Sequence, residues 1–125
     1  MPQVIVEYSN NLVSHKAFEP AKLVKAINQV LLESKVFQEN DIKTLAHGND
    51  VFAVGGPHAN DKAEQAFIFC KVYILAGRSA EIKQQLKQAT MQVLREQVKP
   101  VAGLEIQASA DINDMERDLF MKETF

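Results

Sequence analysis

Apolar and polar residues alternate over residues 4–8, putting Val4, Val6 and Tyr8 on one side and Ile5 and Glu7 on the other, the period of a half-buried strand. A polar stretch, residues 10–16, reads as a loop. Leu23, Ile27, Val30, Leu31 and Ser34 then recur at three- and four-residue steps, which predicts a helix over 19–34 with Pro20 in its first turn. Residues 41–45 and 51–54 look strand-like, interrupted by the turn or bulge signal His47-Gly48-Asn49-Asp50. Residues 66–75 are apolar on both faces, so this strand is expected to be central and covered on both sides, by helices and by another subunit. Ser79 is a plausible N-cap for a helix over 79–99 whose stripe is Ile82, Leu86, Ala89, Val93, Leu94 and Val98. Pro100 stops it, and Leu104, Ile106 and Ala108 alternate with Glu105, Gln107 and Ser109 in a last strand. Beyond Asp111 the tail is charged and without a clear period.

Strand-helix-strand therefore occurs twice, predicting an α+β fold: a doubled β-α-β unit with two helices on one face of a four-stranded sheet. The halves are 1–54 and 66–111, joined by a Gly/Pro loop over 55–65, and the 125 residues fit one domain. The other sheet face is left uncovered, open to water, RNA, a ligand or another subunit, and the doubly apolar third strand argues for another subunit. A chain this short is poorly suited to enclosing a substrate alone, which favours a site shared between subunits. The net charge of −2, with both signs interspersed, disfavours nucleic acid and membrane surfaces as partners. No secretory signal or membrane-length apolar run is present, and the single cysteine, Cys70, lies in the apolar third strand as a small buried hydrophobe; both suit a cytoplasmic protein.

Pro2 stands behind Met1 at the mouth of the first strand. Aminopeptidases remove an initiator methionine ahead of a small residue, and the amine then exposed titrates near pH 8, lower beside cations or when buried, in the range useful for proton transfer. While Met1 remains, the Pro2 nitrogen is an amide without basicity. Ala76-Gly77-Arg78-Ser79 sits where an apolar strand ends and a helix begins, so free backbone N–H groups, the helix dipole and the Arg78 fork make a small anion site that includes Ser79. The plainer reading is that Gly77 turns the chain, Ser79 caps the helix and Arg78 is solvated. Lys43 is either a cation pointing into the site or an edge lysine that discourages strand pairing. Glu7 and Tyr8 offer a carboxylate and a phenol but fit a solvated or interface strand equally well. His15, His47 and His58 lie apart in loop signals without metal-ligand spacing, and Gly55-Gly56 opens no phosphate-loop pattern.

Pro2-Gln3-Val4-Ile5-Val6-Glu7-Tyr8-Ser9, the later Gly77-Arg78-Ser79 followed by Glu81, and the length together resemble the 5-carboxymethyl-2-hydroxymuconate isomerase family of the tautomerase superfamily. The resemblance implies a tautomerase-like homotrimer packed through uncovered sheet faces. It implies cofactor-free keto–enol tautomerisation of a small unsaturated 2-hydroxy carboxylic or dicarboxylic acid, with Pro2 as proton carrier and Arg78 binding the enol carboxylate substrate and stabilising charge on its oxygen. The family's second arginine falls where Lys43 follows Ile42, so the charge is kept and the bidentate fork is lost. The alternative is a ferredoxin-like ligand-binding or assembly module in which Pro2 has no chemical task.

Overall fold

The computed structural model describes residues 1–125. The first strand, β1 (Pro2–Ser9), buries Val4, Val6 and Tyr8 and turns Gln3, Ile5 and Glu7 the other way, as the alternation predicts. Residues 10–16 are not simply a loop. Asn11–Ser14 forms one helical turn, α1, because Leu12 between polar neighbours is fully buried in the core. The helix α2 (Pro20–Glu33) follows with Pro20 in its first turn, and Leu23, Ile27 and Leu31 are 0% exposed. Burying each of these contributes about 1.5–3 kcal/mol.

The second strand departs from expectation. Residues 39–41 form a 3-10 turn, and β2 (Lys43–Asn49) runs unbroken through the predicted turn, pairing in parallel with β1 up to Ser9↔Asn49. Gly48 is needed for proximity, not for turning: a Cβ there would lie 1.9 Å from Asn10 Oδ1 and 2.8 Å from the Tyr8 ring. Residues 51–54 are not a strand. Val51 is 95% exposed, and Phe52 folds over the sheet to meet the Phe67 ring edge-on, centroids 5.8 Å apart.

The third strand, β3 (Glu64–Leu75), starts within the segment read as the joining loop and pairs antiparallel with β1. Helix α3 (Ala80–Gln97) is capped by the Ser79 hydroxyl, which accepts the Ile82 N–H at 3.1 Å, and buries Leu86, Thr90, Val93 and Leu94. The last strand, β4 (Leu104–Met115), extends well past Ser109 because it pairs with β3 in parallel along its whole length, to Leu75↔Met115. The sheet order is β2-β1-β3-β4. Both long helices lie on one face, over a cluster of 20 buried apolar residues drawn from both β-α-β units, and β3 is central.

Coverage of β3 is one-sided in this chain. Ala66, Ile68, Cys70, Val72 and Ile74 are 0% exposed beneath the helices, whereas Phe69 is 41% exposed on the opposite face and stacks on Phe67. Leu45 on β2, 47% exposed, extends that open apolar surface. Burial pushes the Cys70 thiol up to about 12, so it stays protonated and inert. No helix is long and apolar enough to cross a membrane.

Candidate active site

Antiparallel pairing sets Pro2 opposite Ile74, so the beginning of β1 lies beside the turn that leaves β3 for α3. That turn is held firmly. Gly77 adopts φ +113°, a conformation that favours glycine, the Ala76 N–H donates to Met115 O at 2.8 Å, and Ala76 O accepts from Arg117 Nε at 2.6 Å. Arg78 is half-buried as a result. Its guanidinium carbon lies 5.9 Å from the centroid of the Phe37 ring, one Nη makes a long 3.5 Å bond to Val36 O, and Nε is buried with no partner. A buried guanidinium donor without an acceptor is costly unless something anionic meets it.

Pro2 is buried, and Met1 is joined to its nitrogen. The Met1 ammonium lies 3.6 Å from Asp41 Oδ2, with its own side chain only 7% exposed. Burial is the main cause lowering this amine's pKa; Asp41 opposes the shift, and the positive charges of Lys122 and Arg78 add to it. Asp41 in turn is held below the ordinary carboxylate range, chiefly by its hydrogen bond from Lys122. The site thus gathers an amine position, a carboxylate and cations at one end of the sheet.

The family model for 5-carboxymethyl-2-hydroxymuconate isomerase matches residues 2–124. The chain belongs to that family. It is an isomerase of the tautomerase superfamily. Among solved structures, a 5-carboxymethyl-2-hydroxymuconate isomerase from Deinococcus radiodurans is 26% identical and superposes with a TM-score of 0.79 over 99% of this chain and 90% of its own. A 5-carboxymethyl-2-hydroxymuconate delta-isomerase is 15% identical, with a TM-score of 0.78 over 100% of this chain and 89% of its own. A fused 4-OT wild-type symmetric trimer shares the fold at 17% identity, with a TM-score of 0.64 over 93% and 87% of the two chains. A search of curated sequences finds no match.

Of the residues singled out from sequence in this isomerase, Pro2 and Arg78 are brought to the same end of the sheet. Ser79 follows Arg78, but its hydroxyl is occupied as the α3 cap. Lys43 lies beside Gln3 on the open sheet face, its Nζ donating to Asn40 O at 3.3 Å and Asp41 O at 3.2 Å. Glu7 and Tyr8 are far from Pro2, five and six residues or about 17 and 20 Å along β1. Glu7 is held by Asn49 and His47, and Tyr8 packs edge-on against Phe18. The histidines pair separately, with Glu64, Glu7 and Asp61. Asp41 and Lys122 were missed because each sits in a charged stretch without periodicity, and their meeting across 81 positions leaves no local signal.

Proposed function

We propose that this isomerase catalyses cofactor-free keto–enol tautomerisation of a small unsaturated 2-hydroxy dicarboxylic acid, with the Pro2 amine as proton carrier after Met1 is removed and Arg78 as the principal anion contact. The observation that carries this reading is the buried, unpartnered Nε of Arg78 at the Pro2 end of the sheet. The neutral amine takes the enol O–H proton; the oxygen lone pair becomes the ketone π bond, the conjugated double bonds shift, and the ammonium returns the proton to a distant carbon. One base serves both transfers. Arg78 stabilises the negative charge that grows on oxygen and acidic end, in a site where burial strengthens the interaction. Burial first, then Lys122 and Arg78, lower the Met1 amine's pKa at this end of the sheet; a Pro2 amine exposed there by processing would need a similarly lowered pKa to act as the neutral base.

Ser79 caps α3 directly after Arg78, and Lys43 contributes positive charge at the edge of the site through its contacts with residues 40 and 41. The open face bearing Leu45 and Phe69 supports assembly through that face, and a homotrimer is the assembly we assign, in keeping with the trimeric fused 4-OT of the same fold. A reduced, buried Cys70 suits a cytoplasmic setting.

The test is the intact mass of protein from its native host, with ultraviolet-monitored ketonisation of 2-hydroxymuconate on the same sample. Loss of Met1 is expected, with Pro2→Ala lowering kcat/KM by roughly 100-fold or more. Turnover by protein that retains Met1, or turnover indifferent to Pro2→Ala, overturns the mechanism.

A further inference from the structure

The C-terminal segment after β4 returns across the end of the sheet where the chain begins, and is pinned on both sides of the site. Arg117 donates to Ala76 O on the Arg78 turn, and Lys122 Nζ pairs with Asp41 Oδ1. The other oxygen of Asp41 faces the Met1 amine. The tail therefore carries a cation to within one carboxylate of the amine position. Burial is the first cause of the lowered amine pKa, and the positive charges of Lys122 and Arg78 add to it.

Lys43 and Lys122 are held differently around Asp41. Lys43 bonds to backbone carbonyls of residues 40 and 41, which places its ammonium near Asp41 without a side-chain ion pair. Lys122 depends on a side-chain ion pair, 39% exposed on the lysine and 25% on the aspartate. Such a pair is weak enough to exchange partners, and a lysine ammonium on a flexible stem re-aims easily. The Met1 side chain is nearly enclosed beside this pair, so its removal would open a slot bordered by Asp41, Lys122 and the Pro2 amine.

We propose that Lys122 is a substrate-contact residue that sets a preference for dicarboxylates, leaving Asp41 to bind the carboxylate remote from Arg78. This rests on the tautomerase reading above and assigns the second anion contact to the C-terminal tail. Lys43 keeps its bonds to the carbonyls of residues 40 and 41 and takes no part in the diacid preference.

The experiment is titration calorimetry on Met1-processed protein with two unreactive probes, hexa-2,4-dienedioate and hexa-2,4-dienoate, for the parent, Lys122→Met, Lys122→Arg and Lys43→Met. The parent should bind the diacid about tenfold more tightly than the monoacid, the scale of one charge-assisted hydrogen bond. Lys122→Met should bring the two acids within about twofold, and Lys122→Arg should restore most of the difference. The proposal is overturned if the parent binds neither acid or shows no preference, if Lys122→Met keeps the preference, or if Lys43→Met alone abolishes it. Because binding is read without turnover, a Pro2→Ala enzyme of undiminished activity would sink the catalytic mechanism while the diacid preference still decides the role of Lys122.

Discussion

At one end of the β1–β3 pair, the start of β1 lies beside the turn that leaves β3; at the other, the start of β3 lies beside the helical turn that leaves β1. The doubled β-α-β unit makes these corners alike in backbone, yet their side chains differ in kind. At the second corner Glu64 Oε2 accepts from Asn11 Nδ2 and meets His15 Nε2, both at 2.9 Å, and Asn11 also donates to Gln65 O. Its buried unpartnered atom is an acceptor, Asn11 Oδ1; at the first corner it is a donor, Arg78 Nε. Position in the chain explains the contrast. The nitrogen that opens β3 is necessarily an amide, so only the corner at the chain's beginning can present an amine, and it is there that Arg78 and Lys122 gather.

The largest expected break in this comparison comes from Arg78→Ala. Removing the donor fork should lower kcat/KM by roughly 100-fold, about 3 kcal/mol of transition-state stabilisation. The urea midpoint should move little by comparison, since Arg78 is half-buried and its one hydrogen bond is long. Glu64→Gln, at the opposite corner, should leave turnover within twofold. Normal turnover of an enol acid by Arg78→Ala would remove the distinction between the corners.

How much of this contrast could be read in the sequence depended on whether the signal was local. Strand β1, helices α2 and α3, the Ser79 cap and the Gly77-Arg78 turn follow from period and capping chemistry within a few residues. Lys43 was legible as a cation on β2 but not as one committed to backbone carbonyls. Gly48 was misread because a glycine required for close approach has the same appearance as one required for a turn; the Asn10 and Tyr8 side chains that require it come from another strand's end. The second half of β4 was hidden since only its pairing with β3, not an apolar period, extends it to Met115. Asp41 and Lys122 are brought together by that same extension, which delivers the tail to the site.

Gly48→Ala tests whether the closed corner depends on that approach. The added methyl would displace the Asn10 side chain from its bond to Asp50 and press on Tyr8, at a cost of about 1–3 kcal/mol, read as a lower urea midpoint. Since β2 passes Asn10 at the end of β1 remote from Pro2, kcat/KM of the folded fraction should be retained. A midpoint equal to the parent's would mean that Asn10 gives way freely.

The smallest effects are in pH, and they separate the corners by kind. Glu64 is held below the ordinary glutamate value by the Asn11 hydrogen bond first and His15 second. A carboxyl with a lowered folded pKa contributes stability that is complete above its unfolded value, about 4.3, and lost as pH falls through the folded one. The difference in urea midpoint between parent and Glu64→Gln should therefore shrink from about pH 6 to about pH 3. Asp41 follows the same sign for stability, being lowered by Lys122. It does something further to the amine, whose pKa it raises against burial and the two cations. Asp41→Asn should lower the pKa of the catalytic amine, so the acid limb of kcat/KM moves to lower pH, whereas Glu64→Gln leaves that limb in place. An unmoved limb in Asp41→Asn would mean that the Pro2 amine, once exposed, lies beyond the reach of Asp41, and the charge arrangement seen around Met1 would not carry over to the processed chain.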